Sequence, residues 1–193
     1  MTTNLKSGST EPLFQANVRG SELFDTPQEG GGLFVIGQEN ITNIFLFEDN
    51  TNNIAIGGNK ADSITAGNGS DNITGAEGDD FLFGGEGDDI LRGGKGDDIL
   101  TGNEGSDVLI GGEGSDIFGL FANQFIAGET DVILDFEAGN DALVIIGSKD
   151  VSYESSSGLL SVDGSEVVSL EAGLDLDIVT GDISSVVFSN GGV

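Results

Sequence analysis

The chain has no cysteine, no histidine and no tryptophan, only two prolines, and only 6 lysines and arginines in 193 residues. Without cysteine or histidine there is no disulfide, no thiolate nucleophile, no Ser-His-Asp triad, no HExxH zinc site and no imidazole-held metal. Neither a GxSxG nucleophile elbow nor a GxxxxGK[ST] phosphate loop occurs. Against the few basic residues stand 34 acidic ones, a formal charge of -28, so phosphate backbones and anionic membrane surfaces would repel this protein and a nucleic-acid binder is excluded. Apolar runs such as Ala142–Ile146 are far too short to span a bilayer, and the start MTTNLKSGSTEP reads as no secretory signal peptide. Two prolines also exclude collagen, although glycine reaches 33 residues.

What remains is carboxylate, glycine and aliphatic side chain. A hydrophobic share of 37% with 12 phenylalanines is too high for a disordered acidic tail, and the length suits one domain with extensions. Carboxylates as the sole strong ligands favour hard cations. They are arranged with a period: seven nine-residue units run without insertion from Gly57 to Gly119, namely GGNKADSIT, AGNGSDNIT, GAEGDDFLF, GGEGDDILR, GGKGDDILT, GNEGSDVLI and GGEGSDIFG. Position six is always aspartate: Asp62, Asp71, Asp80, Asp89, Asp98, Asp107 and Asp116. Position eight is always large and apolar: Ile64, Ile73, Leu82, Leu91, Leu100, Leu109 and Phe118. Position four is glycine (Gly69, Gly78, Gly87, Gly96, Gly105, Gly114) except at Lys60, and position one is glycine except at Ala66.

Each unit reads as a six-residue turn and a three-residue strand. Glycine permits the positive φ of a tight turn, and strand alternation sends the position-eight side chain into the core. Two units make one coil of eighteen residues, so the expected fold is all-β: a parallel β-roll with two thin sheets meeting across position eight. The units resemble the GGxGxDxUx nonapeptide of the RTX (repeats-in-toxin) family, a calcium-binding repeat. Further along, Asp131-VILDFEAGNDAL143 is similar to the segment that follows the repeats in serralysin-type C-terminal domains. The expected organisation is an irregular N-terminal segment with degenerate β coils (1–56), the seven-repeat roll (57–119) and a β-rich C-terminal cap (120–193). Short runs at 33–37, 43–47 and 53–57 are the degenerate coils. Residues 1 to about 32 read as irregular. Strands are expected at 131–136, 142–146, 159–162, 166–170 and 186–188, with Asp163-Gly164 as a hairpin turn and no helix anywhere.

Calcium takes six to eight oxygens from carboxylates and carbonyls, and the GGxGxD turn offers both. Turns stack two units apart, so a cation can lie between Asp62 and Asp80, Asp71 and Asp89, Asp80 and Asp98, Asp89 and Asp107, and Asp98 and Asp116. About five Ca2+ ions are expected, with carbonyls from the turns holding Gly69, Gly78, Gly87, Gly96, Gly105 and Gly114. The first site is the weakest because of Lys60. Asp135 and Asp141 are candidates for an additional edge site. The repeats carry 14 acidic against 3 basic residues, and seven core side chains make a thin core for 63 residues, so folding and metal binding should be one equilibrium.

Such a chain would stay unfolded in calcium-poor cytosol and fold outside the cell. The resemblance implies type I secretion, and the ending Asp182-ISSVVF188 looks like its uncleaved C-terminal signal, with an ordinary last strand as the alternative. The function expected is a secreted or cell-surface, non-catalytic calcium-binding module with a structural, adhesive or interaction role. One alternative is a carbohydrate-binding module similar to the R-modules of secreted alginate epimerases, with extracellular polysaccharide as partner. Another is an enzyme with its site in 120–193, although Glu154, Asp163 and Glu166 form no recognisable glycosidase pair. Position seven turns apolar at Phe81, Ile90, Ile99, Val108 and Ile117 while facing outward, and the flanking segments are expected to cover that stripe, with a partner or carbohydrate surface as the alternative.

Overall fold

The computed structural model describes residues 22–24, 32, 34–37, 39–47, 50–124, 126, 128–137, 139–147, 150–174, 176–180 and 184–189. Most of the stretch expected to be irregular, 1–32, lies outside these residues. Before the repeats come β1 (Glu22–Phe24), β2 (Phe34–Ile36), β3 (Ile44–Leu46) and β4 (Ile54–Ile56). The repeats form β5 (Ser63–Asn68), β6 (Asn72–Glu77), β7 (Phe81–Glu86), β8 (Ile90–Lys95), β9 (Ile99–Glu104), β10 (Val108–Glu113) and β11 (Ile117–Phe121). After them come β12 (Asp131–Ile133), β13 (Ala142–Ile146), β14 (Val151–Glu154), β15 (Leu159–Val162), β16 (Ser165–Ser169), β17 (Leu176–Thr180) and β18 (Ser184–Ser189). No helix occurs among the described residues, so none is long and apolar enough to cross a membrane.

The chain alternates between two sheets, making a parallel β-solenoid of about five turns. One sheet runs β1-β2-β4-β6-β8-β10-β12-β16-β15-β14 and the other β17-β18-β13-β11-β9-β7-β5-β3. Within the repeats each residue pairs with the one a full coil later, as Ile64 with Leu82 and Ile73 with Leu91. All seven position-eight side chains are at most 1% exposed and fill the space between the sheets. Val35, Phe45 and Ala55 continue this core below the repeats, and Ile133, Leu143 and Ile145 continue it above. The degenerate coils are therefore real turns of the roll, at first slightly longer: Phe34 pairs with Ile54, Ile44 with Ser63, and only then does Ile54 pair with Asn72 at the repeat spacing.

Two sequence readings need correction. Most strands in the repeats span six residues rather than three, because the ladder resumes after position one, with Gly67 on Gly85 and Asn68 on Glu86. The stacked turns are themselves hydrogen-bonded, and this leaves a corner at position one, whose residue points inward and is buried. The outward stripe is also not covered: Phe81, Ile99 and Ile117 remain 42%, 38% and 37% exposed, while Ile90 and Val108 are half-buried. The residues after the repeats lengthen the sheets instead of folding over their faces. Strand β12 adds parallel to β10 and β13 parallel to β11, where an unpaired edge would otherwise be open. Antiparallel pairing then ends the solenoid, β18 on β13 and β15 on β16. The turn between β15 and β16 is the expected one, with Asp163 and Gly164 both at positive φ (51° and 84°).

Positive φ recurs at positions two and four of the repeats, which explains glycine there. Two side chains break that rule at position two, Ala76 (φ 92°) and Asn103 (φ 81°). A methyl gains nothing in that conformation, so Ala76→Gly should stabilise the calcium-loaded protein by about 1 kcal/mol. Urea unfolding in saturating calcium checks this, and a lower midpoint for the variant would show that the methyl is not strained.

Candidate metal centre

The turns between sheets stack into two edges, and each edge carries a column of buried aspartates. On one edge the backbone N–H of Asp62 donates to Oδ1 of Asp80 at 2.7 Å, Asp80 to Asp98 at 2.7 Å, and Asp98 to Asp116 at 2.9 Å. On the other edge Asp71 donates to Asp89 at 2.7 Å and Asp89 to Asp107 at 2.8 Å. The carbonyl of each lower aspartate accepts from the residue after the upper one, as Phe81 N–H to Asp62 and Ile90 N–H to Asp71. The pairing of units n and n+2 expected from the sequence is thus the way these residues meet. All seven aspartates are at most 3% exposed.

One carboxylate oxygen is used in this way and the other is not. Oδ2 of Asp80, Asp89, Asp98, Asp107 and Asp116 is buried and accepts no hydrogen bond. Such an atom costs on the order of 1–3 kcal/mol, more when charged, unless something else satisfies it. Each Oδ2 lies against the position-one glycine of its own turn (Gly75, Gly84, Gly93, Gly102, Gly111), where an added Cβ would collide with it. The same Cβ on Gly84 or Gly93 would also reach the carbonyl oxygen of Gly102 or Gly111 on the next turn, at 2.8 and 2.6 Å. A small cradle of carboxylate and carbonyl oxygen therefore opens between stacked turns. No three acidic side chains converge on one point among the described residues, so carbonyl oxygens would have to complete the shell of a cation held here. That donor set, all hard oxygen, fits calcium.

The turn of Asp62 differs, since its Oδ2 accepts from Gly58 N–H at 2.5 Å, and the exposed Lys60 stands at position four. The position-four glycines stack on one another: a Cβ on Gly87, Gly96, Gly105 or Gly114 would run into the carbonyl of Gly69, Gly78, Gly87 or Gly96 respectively. Their N–H groups donate across the stack, Gly69 to Glu86 and Gly87 to Glu104.

The turns match a known pattern in sequence as well as in shape: residues 49–82 and 83–118 match the RTX calcium-binding nonapeptide repeat family in its four-copy form. These residues are an RTX β-roll. The repeat is a structural calcium-binding module, not a catalytic one. Among curated proteins the chain finds no match.

Both columns of the RTX roll extend past the repeats, which the nine-residue period could not reveal. Below, Asn43 and Asn53 occupy the aspartate position, their N–H groups donating to Oδ1 of Asp62 (2.6 Å) and Asp71 (2.5 Å). Above, Asp107 N–H donates to Asp131 Oδ1 and Asp116 N–H to Asp141 Oδ1, both at 3.0 Å. Asp131 was not singled out from the sequence, because a 24-residue step separates it from Asp107. Asp135 lies close enough to Asp116 and Asp141 for its charge, beside burial, to push both upward, and Asp141 Oδ2 accepts from Glu137 N–H at 2.7 Å. The two oxygens of Asp135 accept from Gly111 and Gly112 N–H at 2.9 Å, and the ladder neighbour of Asp141 is Asp116.

Burial, with like charges above and below, raises the RTX aspartates well above the usual carboxylate range: Asp80, Asp98 and Asp107 to about 7, Asp89 to about 8 and Asp116 to about 6. Backbone N–H donors oppose this without cancelling it. A raised folded-state value means that the metal-free roll holds protons the unfolded chain has released. Its stability is then fullest below about 4, the unfolded value, and is lost as pH rises through about 6 to 8. In EDTA, β structure by circular dichroism should therefore be greater at pH 5 than at pH 8. With calcium the dependence should reverse, the midpoint concentration rising as pH falls below 7, because protons compete for the same oxygens. Identical EDTA spectra at the two pH values would contradict the buried, charged ladder.

Proposed function

We propose that this protein is a secreted, non-catalytic interaction module whose RTX roll folds when calcium enters the aspartate columns. The observation that carries the reading is the set of buried carboxylate oxygens with no hydrogen-bond donor, each beside a glycine cradle. Asp62, Asp71, Asp80, Asp89, Asp98, Asp107 and Asp116 would hold the ions pairwise along each edge. Five ladder contacts within the repeats would give five ions, with carbonyls from the turns of Gly69, Gly78, Gly87, Gly96, Gly105 and Gly114. Bound calcium supplies positive charge that neutralises the columns; the chain's own part is to present oxygens at fixed spacing and exclude water from them. Division into 1–56, 57–119 and 120–193 follows from this role, as lead-in coils, metal-binding roll and terminal cap.

Export in unfolded form, followed by folding at extracellular calcium, accords with the RTX repeat being typical of secreted proteins and with the thin core. The exposed stripe of Phe81, Ile99 and Ile117 supports an interaction role, since apolar side chains in a row on neighbouring strands are suited to a partner surface.

Calcium titration by calorimetry and circular dichroism tests the reading. Calcium should induce β structure at concentrations where magnesium does not, because magnesium prefers six-coordinate, partly hydrated sites. Asp98→Ala should cost two ions per chain, those shared with Asp80 and Asp116. Asp62→Ala should cost at most one, its turn being already tied by Gly58 and flanked by Lys60. Equal losses in the two variants would contradict pairwise binding, and spectra identical in EDTA and calcium would contradict the whole reading.

A further inference from the structure

We infer that the outer face of the sheet running from β3 to β13 docks on the same face of a second copy of this chain, about a two-fold axis along β9, with Phe83 of each copy entering the gap left at Gly119 of the other. This rests on the interaction reading of the exposed stripe given above.

Strand alternation puts positions seven and nine on the outer faces of the roll, and the ladder aligns them in two rows across the strands. On this sheet the first row runs through Ile44, Phe81, Ile99 and Ile117, which are 37% to 44% exposed. The second runs through Phe83 and Thr101 to Gly119 and Val144. Neither row holds a charged residue, although the chain carries a net charge of -28; the carboxylates of the repeats all stand in the turns. The other sheet differs. Arg92 stands in the middle of its outer face, half-buried and bonded to Asn72 Oδ1 at 3.1 Å. No repeat has a carboxylate at position seven or nine to meet it, so docking that face would strip water from an unpaired charge. The face from β3 to β13 has no such obstacle, and a contact confined to it closes at two copies.

The rows also complement themselves in size. Strands β7 and β11 lie one step to either side of β9. The second row is large at Phe83 on β7 and has no side chain at Gly119 on β11, while Thr101 between them is 5% exposed. A Cβ on Gly119 would meet Thr101 Oγ1 at 2.6 Å, and its next neighbours lie at 3.8 Å, so the row has a gap that opens toward Val144, the ladder partner of Gly119. A two-fold rotation about an axis parallel to β9 brings β11 of one copy over β7 of the other at the same height along the strands. Phe83 then meets Gly119, Phe81 meets Ile117, and Ile99 meets Ile99. This is the aligned packing of two sheets about 10 Å apart. The strands β3, β5, β7, β9, β11 and β13 at about 4.8 Å, with about 16 Å of each exposed, give two faces that together bury on the order of 1,000 Å², enough for a reversible dimer and too little for an obligate one.

Sedimentation velocity of the full-length chain in saturating calcium tests this, at about 100 μM protein to suit an interface of that size, with circular dichroism on the same samples. The wild type should sediment with twice the chain mass of 19.7 kDa. Because Ile99 faces itself across the axis, Ile99→Lys and Ile99→Asp should each be monomeric, and an equal mixture of the two should recover the dimer. Phe83→Ala, which empties the contact with Gly119 twice per dimer, should weaken association by roughly tenfold or more. A wild type that has β structure in calcium and stays monomeric would overturn the dimer and leave the calcium reading intact, whereas one without β structure in calcium would overturn both. A dimer that survives both Ile99 substitutions, a mixture that stays monomeric, or a mass above that of two chains would overturn the two-fold contact. Should an Ile99 variant fail to fold, Phe83→Ala decides, and association as strong as that of the wild type would contradict the inference.

Discussion

Everything in this molecule follows from stacking buried aspartates at the spacing of a β-ladder. Each carboxylate fixes the next turn by accepting the N–H of the aspartate below it, and leaves its second oxygen inside the protein. Parallel strands lie about 4.8 Å apart, and at that distance two unit charges repel by about 3 to 4 kcal/mol at an effective dielectric of 20. A column of such charges holds together only if they are protonated or neutralised by a cation. The raised proton affinities of Asp80, Asp89, Asp98 and Asp107 and the fit of the cradle to calcium are two consequences of the same constraint.

The glycine pattern serves that column in distinct ways. At positions two and four it meets a backbone requirement, positive φ, which Ala76 and Asn103 satisfy under strain. At position one it provides room, since a Cβ there would occupy the space in front of Oδ2. The core contributes one large side chain per repeat, Ile64 to Phe118, enough to align the two sheets but thin for the length of backbone it must order. Cap and lead-in coils lengthen the same core with Ile133, Leu143 and Phe45, and antiparallel strands at both ends replace the open parallel edge on one sheet or the other.

The parts legible in the sequence were those that repeat. Asp at position six and an aliphatic or phenylalanine at position eight recur every nine residues, and period alone separates column from core. The Asp163-Gly164 turn was legible for a local reason, the two positive-φ residues that a two-residue hairpin demands. What depends on contact between distant segments was not legible. The inward corner at position one shows only once stacked turns are seen to bond to each other, and Asp131 joins its column across a step that the repeat spacing does not contain. The outward stripe was misjudged because apolar side chains suggest a cover, whereas the cap strands meet their stronger need, backbone pairing at the ends of the sheets. Of the C-terminal stretch Asp182-ISSVVF188, residues 182 and 183 lie outside the described residues; the rest falls in β18, which is hydrogen-bonded on both sides, to β13 and β17.

The central claim is that the charged aspartate columns and the folded roll cannot coexist without a cation. Residue-resolved amide hydrogen exchange at pH 8, in calcium and in EDTA, tests it most directly at the N–H groups of Asp62, Asp71, Asp80, Asp89 and Asp98, which donate to the column. The account predicts strong protection at all five in calcium and exchange at unfolded-chain rates in EDTA. Equal protection in both conditions would show that the ladder stands without metal, and would contradict it.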